Sequence, residues 1–397
     1  MHLNKQRVKA KTNSIKIYYK YIESSQGVIK GYMPSSSTIF IILLTVGSTV
    51  FLANRLLEFG VFSKTEDFNV EGCEVIANIA GPEDIQVSKM EDILFISSYN
   101  WEAFFKGKPE QGGIYVLDIK QKDAKPKLVS LDAPAEFKPH GLSIYTNPET
   151  SEKVLFVTNY KFPPTVEIFD IIDRETIKHR ETITAPHLVS LNEVLGVGMR
   201  SFYVTQDSKY ALGLFKLFFA TLFGYEGGSV NYFDGKDWKV VADDIHFANG
   251  LALSQDQKTL YLGETNKMRI RAYERNLETG DLILKSYIPL GAGPDNINVD
   301  SNGDLWVVGF PNMLAIMNHL QDKTAKSPVK VVKITLDGDK PKEIQTMLTS
   351  SGEVISGISA TDFYNDKFII SGIMHTEVRM CSLPQEGQTE TKENVDL

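Results

Sequence analysis

The chain is poor in cysteine and histidine. Its 397 residues include two cysteines and seven histidines, without the His/Cys set of a zinc centre, so a zinc site is not expected. No Asn-x-Ser/Thr acceptor for N-glycosylation occurs anywhere. There is no basic stripe over the long central region, and 42 Lys and Arg stand against 50 Asp and Glu. That balance, a net charge of −8, argues against nucleic-acid binding. An uncharged apolar run of membrane-spanning length is also missing, with one exception, STIFIILLTVGSTVFLAN at 37–54. At about 1.5 Å per residue such a helix just crosses a hydrocarbon core of about 30 Å.

What surrounds that run gives it a direction. The first 36 residues hold Lys5, Arg7, Lys9, Lys11, Lys16, Lys20 and Lys30 against one acid, Glu23, and Arg55 follows the run. By the positive-inside rule the N-terminus stays in the cytosol, and the rest of a single-pass protein lies in the lumen of the secretory pathway or outside the cell. The length of the basic stretch favours an uncleaved signal-anchor; the alternative is a cleaved signal peptide. The expected organisation is a basic tail (1–36), a transmembrane segment (37–54), a linker (55–70), one large domain (71–384) and a disordered polar tail (385–397).

The large domain repeats itself. DILFIS, KVLFVT, RSFYVT, KTLYLG, DLWVVG and DKFIIS begin at 92, 153, 200, 258, 304 and 366, each a turn-type or charged residue leading into alternating apolar and aromatic positions. A second β-rich run follows each: GIYVLDI, TVEIFDI, SVNYFDG, RIRAYER, VVKITLD and EVRMCSL. A short run with a polar opening precedes each: EDIQVS, HGLSIY, NEVLGV, NGLALS, DNINVD and SGISAT. Six ordered triplets, with room for a fourth strand in each linker, predict an all-β fold, a six-bladed β-propeller with four-stranded blades. An ordinary β-sandwich is the alternative. Cys73 precedes the first blade and Cys381 lies in the last strand of the sixth, so a disulfide between them would close the ring in an oxidising compartment; two buried thiols are the alternative.

The innermost strands of a propeller surround a channel, and the polar openings sit at their heads. They bring Glu83, Asp84, His140, Asn192, Glu193, Asn249, Asp295 and Asn296 toward one mouth. Carboxylates and amides from several directions are hard oxygen donors of the kind Ca²⁺ takes in sixes to eights. Bound water and solvated polar groups fill the channel in the alternative reading.

PEDIQVS with ILFISS, FKPHGLSIY, SLNEVLGVG, FANGLALS and PDNINVD with GDLWVVG, together with the placement of the two cysteines, resemble the paraoxonase/arylesterase family over about residues 71–384. That resemblance implies a propeller with two calcium ions in its tunnel and hydrolysis of lactones, aryl esters and, in some members, organophosphates. It implies that Glu83, Asn192, Asn249, Asp295 and Asn296 hold a catalytic calcium. Asp84, Glu193 and the carbonyl of Leu142 would hold a deeper structural one; the family has Asp where this chain has Glu193. His140 becomes the general base that activates water, with Asp207 to orient or charge-stabilise it. The chain departs from the family at Tyr160 and Phe310, which stand where two family histidines are found, so a His–His dyad is in doubt and lactones or activated esters are favoured over organophosphates. Tyr160, Phe247, Phe310 and His375 are the expected substrate wall.

The segment YALGLFKLFFATLFGY (210–225) places apolar residues at helical spacing and reads as a helix inserted in the third blade, a lid with or without membrane contact. A small apolar lactone or ester is the expected partner, reaching the site from solvent or from the bilayer. Two rival functions stand beside the hydrolase: a gluconolactonase/strictosidine-synthase-like enzyme, and a non-catalytic calcium propeller acting as a chaperone or lipid-binding module.

Overall fold

The computed structural model describes residues 35–210, 222–338, 340–385 and 391–392. The expected basic tail, residues 211–221 of the expected inserted helix and most of the polar C-terminal tail lie outside them. The chain divides into two units, residues 1–55 and 56–397. The uncharged run forms helix α1 (Ser36–Glu58), long and apolar enough to cross a membrane.

The second unit is a ring of six sheets. Strand β1 (Cys73–Asn78) comes first in the chain but belongs to the last blade. Blade 1 is β2 (Pro82–Ser88), β3 (Ile93–Ser98), β4 (Gly113–Asp118) and β5 (Lys127–Leu128). Blade 2 is β6 (Pro139–Thr146), β7 (Lys153–Asn159), β8 (Thr165–Asp173) and β9 (Thr176–Thr184). Blade 3 is β10 (Val194–Gly196), β11 (Phe202–Gln206), β12 (Gly228–Phe233) and β13 (Trp238–Ile245). Blade 4 is β14 (Ala248–Leu253), β15 (Thr259–Glu264), β16 (Arg269–Arg275) and β17 (Leu282–Pro289). Blade 5 is β18 (Gly293–Val299), β19 (Leu305–Phe310), β20 (Val329–Asp337) and β21 (Lys340–Ser350). Blade 6 is β22 (Ala360–Tyr364), β23 (Lys367–Ser371) and β24 (Glu377–Ser382), completed by β1. Every pairing between these strands is antiparallel. A two-residue strand in the polar tail, β25 (Thr391–Lys392), adds to the outer edge of blade 5 against Ile344 and Gln345.

The repeated DILFIS-like runs are the second strands of the blades, and their alternation has a direct cause. Both faces of each blade are buried against a neighbour, so successive residues enter different seams. In β7, Val154 and Phe156 pack toward blade 3, with Phe202 and Val204, while Leu155 and Val157 pack toward blade 1, with Phe95 and Ile114. Each of the six seams has its own apolar core of this kind. Burying a Phe in such a seam contributes about 3–5 kcal/mol against truncation to Ala.

Five blades draw their fourth strand from the following linker, as expected, but blade 6 takes its outermost strand from before blade 1. A ring needs its two ends joined, and β1 pairs with β24 in a register that sets Cys73 opposite Cys381. The two cysteines form a disulfide across that pair, 308 residues apart in sequence. Closing a loop of that size removes chain entropy from the unfolded state worth up to about 5–6 kcal/mol in the loop-entropy account. Substituting Cys381→Ser, or reducing the bridge, is therefore expected to lower the unfolding free energy by about 3–5 kcal/mol, read as a lower urea midpoint with a slope that rises as the unfolded chain expands. An unchanged midpoint under reductant would show that the β1–β24 pairing alone closes the ring.

Candidate functional site

The heads of the innermost strands are irregular in a shared way. In β2, Pro82 pairs with Ser98 and Asp84 with Ser97, which leaves Glu83 as an extra residue. In β6, Pro139 pairs with Asn159 and Leu142 with Val157, so His140 and Gly141 face one residue. Asn249 and Gly250 stand opposite Gly263 between the Ala248–Glu264 and Leu251–Leu262 pairs, and Asp295 and Asn296 opposite Val308 between Pro294–Gly309 and Ile297–Val307. These are β-bulges, which bend a strand and re-aim its side chains. Here they turn the polar residues of four blades into the channel. Close approach forces glycine beside two of them. A Cβ on Gly141 would lie 2.5 Å from Glu193 Oε1, and one on Gly250 would lie 2.3 Å from the Asp295 carbonyl.

Two cavities open into the channel. The larger, of about 660 Å³, is lined by Glu83, His140, Asn192, Asp207, Asn249 and Asp295 among others. The smaller, of about 330 Å³, is lined by Asp84, Leu142, Glu193 and Asn296. The sequence neighbours Glu83–Asp84, Asn192–Glu193 and Asp295–Asn296 are thus divided between the two. Asn296, expected with the outer group, lines the smaller cavity, although its amide lies 3.5 Å from Glu83 Oε1.

Oxygen atoms dominate the channel. Glu83 Oε2, Asn192 Oδ1, Asn249 Oδ1 and Asn296 Oδ1 are buried and accept no hydrogen bond. An unpaired buried acceptor is costly, and four at one locus are unusual in a native structure. The carboxyl groups respond to one another. Burial, then the charge of Glu83, pushes Asp295 up to about 8 although the Asn249 amide donates to it at 2.6 Å. Burial raises Asp84, with Glu83 adding to the effect, even though Asp84 accepts from the Leu142 and Ile85 amides at 2.9 and 2.8 Å. Burial raises Glu193 in the same way, reinforced by Asp84 and Glu83. Among the described residues no cluster of three or more His, Cys, Asp or Glu side chains gathers as a metal site. The donor set is mixed carboxylate and amide, chemistry suited to a hard divalent cation with oxygen ligands.

His140 stands at the boundary between this polar floor and an aromatic wall. Its Nδ1 lies 3.1 Å from Glu83 Oε2, out of line for a good hydrogen bond. Burial depresses its basicity, but the neighbouring Glu83, Asp295 and Asp207 charges outweigh burial and raise it above the ordinary histidine value. Trp101 meets the imidazole edge-on at 5.1 Å between ring centroids, and Tyr160 stacks on it at 5.8 Å. Asp207 shares the cavity, but its hydrogen bond comes from the Ser190 hydroxyl, and burial raises it. The carboxylate in contact with His140 is Glu83. Burial also pushes the Tyr160 phenol upward, which removes it as a base near neutral pH.

Of the expected wall, Tyr160, Phe247 and Phe310 line the larger cavity. His375 does not: its ring sits behind the wall, bonded through Nε2 to the Ser356 carbonyl, and Ile373 reaches the cavity instead. Much of the remaining wall was not foreseen. Helix α2 (Trp101–Phe105), between β3 and β4, supplies Trp101, Phe104 and Phe105, and helix α3 (Met313–Gln321), between β19 and β20, supplies Met313, Ile316, Met317 and Leu320. Both insertions start with an Asn cap, Asn100 and Asn312, which accepts from the third helical amide. An Asn followed by an apolar cluster in a linker is the signal that would have found them. Leu222, at the edge of the inserted segment of blade 3, packs with Phe310 and Met313.

Comparison with known proteins agrees with this architecture. The sequence profile of the arylesterase family matches residues 66–383. The serum paraoxonase/lactonase 3 of Oryctolagus cuniculus is 28% identical over 355 residues, covering 84% of this chain and 97% of that protein. The serum paraoxonase/arylesterase 1 of Rattus norvegicus is 29% identical, covering 79% and 90%. Among solved structures, a luciferin-regenerating enzyme shares the fold with a TM-score of 0.51 at 15% identity, covering 79% of this chain and 95% of that one. The profile match embraces every blade, the closing cysteine pair and the bulged strand heads, and the chain belongs to the arylesterase family of ester- and lactone-hydrolysing enzymes.

Proposed function

We propose that this protein hydrolyses lactones and aryl esters in the larger cavity, with calcium bound at the channel. The observation that carries the reading is the set of buried oxygens without donors beside a histidine, in a member of the arylesterase family. Glu83, Asn192, Asn249, Asp295 and Asn296 are the candidate holders of a catalytic ion, and Asp84, Glu193 and the Leu142 carbonyl of a structural one. When bound, calcium would supply Lewis-acid polarisation of a carbonyl oxygen and stabilise the oxyanion that attack by water creates.

The protein's own groups supply the rest. His140 Nδ1 faces Glu83, which leaves Nε2 as the nitrogen to take a proton from the attacking water. A base must be neutral, and among the groups that raise the basicity of His140 against burial the Glu83 charge is the largest influence. Trp101 and Tyr160 fix the ring plane. The aromatic and aliphatic wall binds an apolar acyl or aryl group and excludes water from all but the polar floor. Asp207, buried within the same cavity, contributes negative charge that favours the imidazolium formed during attack. In the cell, the basic residues ahead of α1 and the disulfide together favour a cytosolic N-terminus and a lumenal or extracellular propeller.

Two outcomes test this. Full-length protein in detergent should hydrolyse phenyl acetate and γ- or δ-lactones with calcium, lose turnover with chelator and regain it when calcium returns. His140→Gln should lower kcat by about 10²–10⁴-fold while calorimetry shows calcium still bound. Folded, calcium-loaded protein without turnover on any of these substrates would favour a binding propeller.

The second outcome concerns stability. In calcium-free protein Asp295 keeps its proton up to about pH 8, whereas the unfolded chain releases it near 3.8. A group raised in the folded state stabilises fully below its unfolded value, and that contribution is lost as pH rises through the folded value. The melting temperature of chelated protein is therefore expected to fall as pH rises from about 4 to about 8 and to level off above that, and Asp295→Asn should flatten the slope. Calcium should raise the melting temperature most at the upper end of that range. A slope that Asp295→Asn leaves unchanged would contradict the charge account.

A further inference from the structure

The floor of the larger cavity is acidic and its wall apolar, but two lysines also line it, Lys138 and Lys161. They bracket the residues that carry the chemistry, Lys138 two positions before His140 and Lys161 one position after Tyr160. The strand pair holds the two stretches together. The Tyr160 amide donates to the Lys138 carbonyl at 2.8 Å, and the Lys138 amide donates to Asn159 Oδ1 at 2.9 Å. The pair is therefore built onto the same end of blade 2 as the imidazole.

Neither ammonium group has an ion-pair partner among the described residues. The acids of the cavity are engaged elsewhere: Glu83 faces His140, Asp207 takes the Ser190 hydroxyl and Asp295 the Asn249 amide. Lys138 Nζ instead lies 5.2 Å from the centre of the Phe104 ring. An apolar wall lowers the local dielectric, so a charge beside it gains more from a counter-ion than a charge in open water does. A neutral ester or lactone offers these lysines nothing.

We propose that Lys138 and Lys161 select substrates carrying a second, free carboxylate: an ester or lactone whose reacting carbonyl sits over the channel floor while an anionic end meets the two ammonium groups. This rests on the hydrolase reading above and names the substrate class within it. The cavity then has three chemical zones, a polar floor for the carbonyl, an apolar wall for the chain and a cationic edge for its far end. An exposed ion pair is worth little, a partly desolvated one more, so each lysine is expected to account for about a threefold to fivefold preference and the two together for about tenfold or more.

The test uses the full-length protein in detergent with calcium and two matched sets of probes, the monophenyl esters of succinate, adipate and suberate and the methyl esters of the same compounds. The expected result is a higher kcat/KM for at least one free acid than for its methyl ester, expressed in KM. That ratio should fall about threefold to fivefold in Lys138→Met and Lys161→Met, fall further in the double variant, and invert in Lys161→Glu. Salt should compress the preference in the natural protein but not in the double variant. A purely structural role would lower both members of each pair alike, and an unchanged ratio would overturn the proposal. A second readout needs no turnover. 8-Oxo-8-phenyloctanoate, the ketone counterpart of monophenyl suberate, and its methyl ester are titrated by calorimetry into the natural protein and the double variant. Tighter binding of the acid that disappears in the variant supports the proposal even if no ester is hydrolysed; equal binding of acid and ester, or a preference that survives loss of both lysines, overturns it. Absence of hydrolysis with lysine-dependent binding would instead refute the hydrolase reading alone.

Discussion

Four carboxylates and three amides, all buried, meet near one axis, and the rest of the structure is organised around holding them there. Burial, reinforced by neighbouring carboxylate charge, raises the proton affinity of Asp84, Glu193 and Asp295, and four oxygens accept no hydrogen bond. Such a cluster would push a less constrained fold apart. Here the groups are distributed over several blades, and each blade is locked to its neighbours by an apolar seam. The β1–β24 pair and its disulfide make the ring continuous, so no blade can swing outward to relieve the repulsion. A divalent cation bound at the axis, as proposed, would satisfy both the charges and the orphaned oxygens.

The bulges explain how a regular fold produces so irregular a centre. A flat antiparallel pair would alternate side chains into the two seams, leaving none for the channel. Inserting one residue at the heads of β2, β6, β14 and β18 re-aims Glu83, His140, Asn249 and Asp295 inward while the remainder of each strand keeps its apolar alternation. The same step divides neighbouring residues between the two cavities, as Glu83 and Asp84 show. Blade 6 lacks a comparable acid at its head and instead bonds Ser359 to the Glu83 and Asn296 backbones, which ties it to blades 1 and 5 beside the channel.

The sequence revealed the parts that obey a period. Six strands with two-sided burial leave a repeated apolar signature, and the polar heads fall at fixed distances before it; Val154, Leu155, Phe156 and Val157 are legible because each must enter a seam. The source of the sixth blade's outer strand was not legible, because β1 carries only a partly buried pattern and its partner lies at the other end of the chain. The cavity wall was half legible. Tyr160, Phe247 and Phe310 adjoin recognisable strand heads and ends, whereas Trp101, Phe104 and the α3 residues sit in insertions outside the repeat. His375 resembled a wall residue by position, but its hydrogen bond to Ser356 turns it away from the cavity. The contact between Glu83 and His140 joins two strand heads 57 residues apart, and no local pattern in the sequence signals it.

The measurement that bears most directly on this account is a crystal structure of the protein grown with calcium, with anomalous scattering used to identify the ions. The account predicts an anomalous peak at the channel bounded by oxygens of Glu83, Asn192, Asn249 and Asp295, with Asp84 and Glu193 bordering a second. Water alone at both places, with the carboxyl groups protonated and sharing hydrogen bonds, would contradict it.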